Sequence, residues 1–137
     1  MKIEEQVLSI EQKRHLQELG VDTSDASLAW FMSPKTNQWK IKAKNNFTHE
    51  LLLRLSPERY IPTYATNDLI EKLPKRIGIY HLMIDWDLMQ IEYLSRSWQE
   101  SVFRECFNLN DKPLINTLYD CLCWVAKTHK ELLEGKK

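Results

Sequence analysis

Asp85-Trp86-Asp87 is where this chain comes closest to a chemical centre. Two carboxylates flanking one residue could hold Mg²⁺ together with its waters, and Glu92, a few residues on, would supply a third oxygen ligand from the next strand. That set would make a metal-dependent enzyme. Acids also suit a tight turn and stay hydrated there. No neighbouring motif announces the substrate phosphate that usually completes a Mg²⁺ site.

The lysines offer a different chemistry. Lys35, Lys40, Lys42 and Lys44 form a basic stripe with Trp39 among them. Lysines that contact phosphates, beside an aromatic ring that stacks a base, would bind nucleic acid. Strand alternation, however, turns Trp39 away from the lysine face. A hydrated outer face whose lysines deter edge-to-edge pairing explains the stripe more simply. A smaller cluster, Lys72, Lys75 and Arg76, follows a short helix, where cations suit the helix dipole.

The remaining reactive side chains are dispersed. His15, His49, His81 and His129 show no His-x-x-x-His spacing, and Cys106, Cys121 and Cys123 contain no Cys-x-x-Cys pair. A structural zinc site is not expected. Cys121 and Cys123, two apart on a helix, lie about 200° apart around its axis and cannot bond to each other. Unpaired cysteines agree with a reducing compartment. The glycines, Gly20, Gly78 and Gly135, form no phosphate-binding loop and no dinucleotide fingerprint. No Gly-x-Ser-x-Gly elbow occurs. No cofactor is implied.

The elements that must position these residues follow from periodicity. Ser9 caps a helix and Gln12 reaches back to complete a capping box. Gly20 stops that helix in a Schellman motif, with Val21 folding back on Leu16. Leu28, Trp30 and Met32 alternate, and Trp39, Ile41 and Ala43 alternate against Lys40, Lys42 and Lys44, as in a hairpin. Leu51–Leu55 reads as strand or short helix, and Pro57 and Pro62 bracket a connecting segment. Thr66-Asn67-Asp68 opens a helix over Leu69–Leu73, ended by Pro74. Ile79–Trp86 and Gln90–Leu94 read as antiparallel mates, and Val102–Phe107 as a further strand. Asp111 caps the final helix, with Pro113 in its first turn.

That final helix, Pro113 to Leu133, carries a stripe of Leu114, Leu118, Leu122, Val125, His129 and Leu132. Cys123 and Trp124 fall outside the stripe, with Trp124 about 120° from Leu118. Either the chain's own sheet covers them or a second chain does, so they are the candidate interface.

The fold class these elements imply is α+β: one domain over residues 1–137, with an antiparallel sheet of four to six strands and helices on one face. Residues 1–8 would be an N-terminal arm or an irregular lead-in. At 137 residues, with 43% hydrophobic and 28% charged residues, the chain can bury a core without metal or disulfide help. Lys plus Arg and Asp plus Glu number 19 each, so there is no basic excess of the kind dedicated nucleic-acid binders carry. The start, MKIEEQVLSIEQK, is acidic and unlike a secretory signal. No apolar run approaches the roughly 20 residues of a membrane span. A soluble, cytoplasmic protein with no membrane contact is expected.

Three stretches are familiar together. They are Leu8-Ser9-Ile10-Glu11-Gln12 leading to Glu18-Leu19-Gly20-Val21-Asp22-Thr23-Ser24 and Ala26-Ser27-Leu28-Ala29-Trp30; Ile61-Pro62-Thr63-Tyr64 running into Asp68-Leu69-Ile70-Glu71-Lys72-Leu73-Pro74; and Pro113-Leu114-Ile115 through Cys121-Leu122-Cys123-Trp124. Over about half its length the chain resembles small proteins of phages, prophages and mobile elements of gut Bacteroides-type bacteria. These words mark caps, turns and a packed helix, so the resemblance transfers no site residue. It implies an accessory role in a bacterial cytoplasm. The leading expectation is a non-enzymatic, self-associating interaction protein, its partner a second copy or a phage or host protein. Nucleic-acid binding through the lysines is the first alternative, and a metal-dependent enzyme at Asp85 and Asp87 the second.

Overall fold

Ser9 begins the first helix, α1 (Ile10–Glu18), through the expected capping box: Ser9 Oγ accepts from Gln12 N–H, and Gln12 Oε1 accepts from Ser9 N–H. Gly20, at φ 86°, ends it. Val21 N–H donates to Leu16 carbonyl and Gly20 N–H to Gln17 carbonyl, the two bonds of a Schellman motif. The computed structural model describes residues 7–23, 25–33, 35–43, 60–95, 97, 99–108 and 112–134. The arm up to residue 6, the strand-or-helix stretch after Lys44, Lys44 itself, His49, Trp98 and the Asp111 cap lie outside the described residues.

The chain divides into two units, Met1–Asp68 and Leu69–Lys137. In the first, β1 (Leu28–Met32) lies between β2 (Trp39–Ala43) and β3 (Tyr60–Thr63), antiparallel to both. The hairpin register sets Trp30 opposite Ile41 and Phe31 opposite Lys40. The segment around Pro62, expected as a connection, is strand β3. Pro62 is tolerated because, among the described residues, β3 pairs on one side only, with Ala29 opposite it, and an edge strand can do without one N–H. Leu8, Leu16, Val21, Ala29, Ile61 and Tyr64 are buried in this unit. Leu8 carbonyl accepts from both Trp30 Nε1 and Thr63 Oγ1, each at 2.9 Å, which fastens the residues before α1 to the strands.

Helix α2 (Thr66–Lys72) follows. Asp68 Oδ2 accepts from Ala65 N–H at 2.9 Å and from Ser27 Oγ at 2.6 Å, so one carboxylate anchors the helix start and the β1 entry.

The second unit holds a four-stranded antiparallel sheet in the order β4 (Arg76–Ile77), β5 (Tyr80–Asp85), β6 (Gln90–Ser95), β7 (Ser101–Cys106). The α+β class and the antiparallel pairing hold. The strands, expected in one sheet, fall into two of three and four strands. The reason is local pairing: each sheet grows from a hairpin, β1–β2 or β5–β6, and α2 intervenes between them in the chain. Two-residue β4 has no alternating pattern of its own and forms because Gly78, at φ 62°, turns the chain back onto β5. Between β6 and β7 the register passes from Tyr93–Phe103 to Leu94–Ser101. Val102 is therefore the extra residue of a β-bulge.

Helix α3 (Leu114–Thr128) packs on β6 and β7. Pro113 stands at its N-cap, one position ahead of the expected first turn. The expected single helix is broken: His129, at φ −140° and ψ 44°, ends α3, and a separate turn, α4 (Glu131–Glu134), carries Leu132. Thr128 Oγ1 donates to Trp124 carbonyl at 2.7 Å, satisfying a carbonyl of the last turn. No helix among the described residues is long and apolar enough to cross a membrane.

Candidate functional site

Asp85 closes β5, and its carboxylate organises the turn that follows. Oδ1 accepts from Asp87 N–H and Leu88 N–H, each at 3.0 Å, the pattern of an Asx turn. Met89 then takes a left-handed conformation, φ 51°, and its carbonyl accepts from Phe107 N–H at 2.8 Å. Glu92 does not join the two aspartates. It is buried, with a side chain 7% exposed, and accepts from Arg104 Nε at 3.0 Å and from Gln90 Nε2 at 3.3 Å. Among the described residues no three His, Cys, Asp or Glu side chains gather closely enough to hold a metal ion. The Asp85, Asp87 and Glu92 set thus divides into a turn anchor, an exposed acid and a sheet ion pair.

The same turn does something unexpected with its apolar residues. Trp86 is 64% exposed and Leu88 65% exposed. The Trp86 ring makes a T-shaped contact with Phe107, with centroids 5.7 Å apart. Bonds from Asp85 and to Phe107 fix the backbone, so two large apolar side chains project from a rigid tip. Turn positions usually go to Gly, Asn, Asp, Ser or Pro. Trp and Leu at a turn are therefore the sequence signal for this surface.

At the opposite end of β5 lies a groove of about 400 Å³, lined mainly by Ile77, Tyr80, Val102, His129 and Leu132. Ile79, in the β4–β5 turn, is 61% exposed, and Val102 is 40% exposed. The bulge at Val102 brings this side chain into the groove wall. Periodicity could not reveal it, because a bulge breaks alternation. His129 lies here through the break between α3 and α4; its Nδ1 is 2.8 Å from Thr128 Oγ1.

Cys123 and Trp124, the expected interface, both pack against the chain's own residues, Cys123 fully and Trp124 in part. Cys123 is buried. The Trp124 indole lies against Tyr93 of β6 and Phe103 of β7, at centroid distances of 5.8 and 5.3 Å, and against His129 at 5.4 Å. The chain's own sheet thus covers part of Trp124, which stays half-buried. Among the described residues, the exposed large apolar side chains are Trp86 and Leu88 at the tip and Ile79 and Val102 at the groove. Burial pushes the thiols of Cys121 and Cys123 upward, Cys121 strongly so with Asp120 adding to the effect. Neither is poised as a thiolate nucleophile.

The lysine stripe is dispersed in part. Lys35 and Lys40 are exposed, and Lys42 is half-buried. Trp39 is on the opposite face of β2 from Lys40 and Lys42, as alternation requires. The register nevertheless sets Lys40 beside Phe31, and Phe31 beside Tyr60, on one face of the three-stranded sheet. That face also holds Ala29, which is fully buried with Phe31 and Tyr60 packed against it.

No protein-family model, curated protein or solved structure matches the chain.

Proposed function

We propose that this chain is a non-enzymatic, self-associating interaction protein, serving as an accessory factor of a phage or mobile element. The observation that supports self-association is the rigid β5–β6 tip with Trp86 and Leu88 turned outward. Exposed aromatic anchors on a preorganised backbone are the usual makings of a binding hot spot, because little ordering remains to oppose association. The phage or mobile-element setting rests on the sequence resemblance alone. Size-exclusion chromatography with light scattering on the purified chain tests the reading. A mass above that of one chain, lost in Trp86→Glu, is expected; a single-chain mass at every concentration would overturn it.

A second reading, nucleic-acid binding, draws on Lys40 standing in register beside Phe31 and Tyr60, with Lys35 exposed at the nearby turn. Phosphate contacts release counterions, so such binding would weaken steeply with added salt. Fluorescence anisotropy with single- and double-stranded DNA and RNA at low salt tests it, and an unchanged signal for all four removes it.

A further inference from the structure

We propose that the groove at the start of β5 binds a small organic amine: a protonated amino group held by His129 and Glu131, on an apolar body laid along Ile77, Val102 and Leu132. The site is separate from the β5–β6 tip, and self-association plays no part in it.

Proton positions at the break between α3 and α4 decide the chemistry. Thr128 Oγ1 has one hydrogen, and it goes to Trp124 carbonyl at 2.7 Å. In its 2.8 Å contact with His129 Nδ1 the hydroxyl oxygen must therefore accept, so Nδ1 carries the hydrogen. In the neutral imidazole the lone pair is then on Nε2. His129 lines the groove, and its Nε2 makes no hydrogen bond among the described residues. Glu131, two residues on, lines the same groove, and its carboxylate has no ion pair or hydrogen bond among the described residues. Two residues of chain reach at most about 7 Å, a span that one ammonium can bridge between the two side chains.

These polar ends are set among apolar walls. A groove of about 400 Å³ stands at the lower end of the range that small-molecule sites occupy, about 300–1,000 Å³, and such sites pair apolar walls with a few polar groups that fix orientation. Charge then separates the ligand classes. Among the described residues that line the groove, Glu131 alone is charged. An anion would meet that carboxylate and be repelled. A neutral apolar body would strip water from the carboxylate and from the imidazole lone pair and give nothing back, which is costly. A metal ion would lack ligands, since no three His, Cys, Asp or Glu side chains gather among the described residues. An organic cation with N–H donors answers both acceptors. A primary ammonium has three such donors, whereas a quaternary one has none to offer Nε2.

The test is an NMR titration of the full, isotope-labelled chain with three probes of one size: phenethylamine, phenethyl alcohol and phenylacetate. The amine is expected to shift the Gly78, Val102 and Leu132 amides in a saturable way and to bind about fivefold more tightly than the alcohol, the scale of one exposed charge pair. Phenylacetate is expected to bind more weakly than either. Glu131→Gln, a near-isosteric change at an exposed position, is expected to bring the amine down to the affinity of the alcohol. The neutral His129 ring of the native chain is expected to show its hydrogen on Nδ1. An amine that gives no saturable shift overturns the proposal. So does an alcohol that binds as tightly as the amine, or an amine affinity that is unchanged in Glu131→Gln. A neutral His129 with its hydrogen on Nε2 overturns the acceptor role of that atom. The three-probe comparison uses the native chain alone, so it decides the matter even where a substitution disturbs the α3–α4 break.

Discussion

The β1–β2 turn and the β5–β6 turn solve one backbone problem with opposite chemistry. Each reverses an antiparallel pair, and each places one non-glycine residue in the left-handed region: Asn37 at φ 55° and Met89 at φ 51°. Asn enters that region readily because its short polar side chain bonds locally, whereas Met has no such compensation. The first turn exposes Lys35, Thr36, Asn37 and Gln38, all polar. The second exposes Trp86 and Leu88 beside Asp87. The first turn is what folding and solubility alone would select. The second bears a conformational cost and an exposed apolar surface together. Neither helps the isolated chain, and both make sense for a tip that meets a partner.

The largest expected effect separates two tryptophans of the same unit. Trp124→Ala removes an indole held against Tyr93 and Phe103, and should lower unfolding stability by about 3 kcal/mol. Trp86→Ala removes an indole that is mostly in water and should cost less than about 1 kcal/mol. Chemical denaturation at a concentration where the chain is monomeric measures both. Equal losses would mean that the tip is part of the packing, and the contrast between the turns would fail.

Next in size is the buried phenol of Tyr93, which donates to Pro74 carbonyl at 2.7 Å. Tyr93→Phe leaves that carbonyl without its donor and should cost about 1–1.5 kcal/mol at neutral pH. Burial pushes the Tyr93 hydroxyl far above its ordinary value. The folded state therefore holds the neutral phenol, while the unfolded chain ionises near pH 10. The stabilisation is fully present below that pH and is lost as pH rises above it. Tyr93→Phe should lose less stability between neutral pH and about pH 11 than the native chain does. Tyr64, bonded to Asp22 carbonyl and to the Asp25 carboxylate, has the same sign and is unaffected by the substitution, so part of the alkaline loss remains.

Elements governed by local chemistry were legible in the sequence. The α1 capping box, its Gly20 stop, the β1–β2 hairpin and the β5–β6 pair depend on neighbours a few residues apart, and their residue types announce them. What escaped was decided by partners distant in the chain. Tyr60–Thr63 is a strand because it pairs with the side of β1 that β2 leaves open, and its own outer edge, unpaired among the described residues, tolerates Pro62. Trp124 is covered because Tyr93 and Phe103 are adjacent in register. Val102 reaches the groove because a bulge shifts it off the alternation. The tip is marked in the sequence, since Trp86 and Leu88 occupy positions that turns usually give to small or polar residues, but the acids beside them carry the same spacing as a metal-binding pair.

The smallest effect tests the cost of the second turn directly. Asn37→Met places in the polar turn the residue type that the apolar turn uses, and Met89→Asn does the reverse. If the left-handed conformation is costly for Met and nearly free for Asn, Asn37→Met should destabilise by roughly 0.5–1 kcal/mol and Met89→Asn should stabilise by a similar amount. Thermal unfolding of the monomer measures both shifts, which should be opposite in sign. Met89→Asn leaves Trp86, Leu88 and the Asp85 bonds in place, so association should persist in this more stable variant. Association lost together with the strain would mean that the Met89 side chain itself belongs to the contact, extending the tip by one residue toward β6. Stability gained with association intact would place the binding surface in Trp86 and Leu88 and leave Met89 as the residue that aims them.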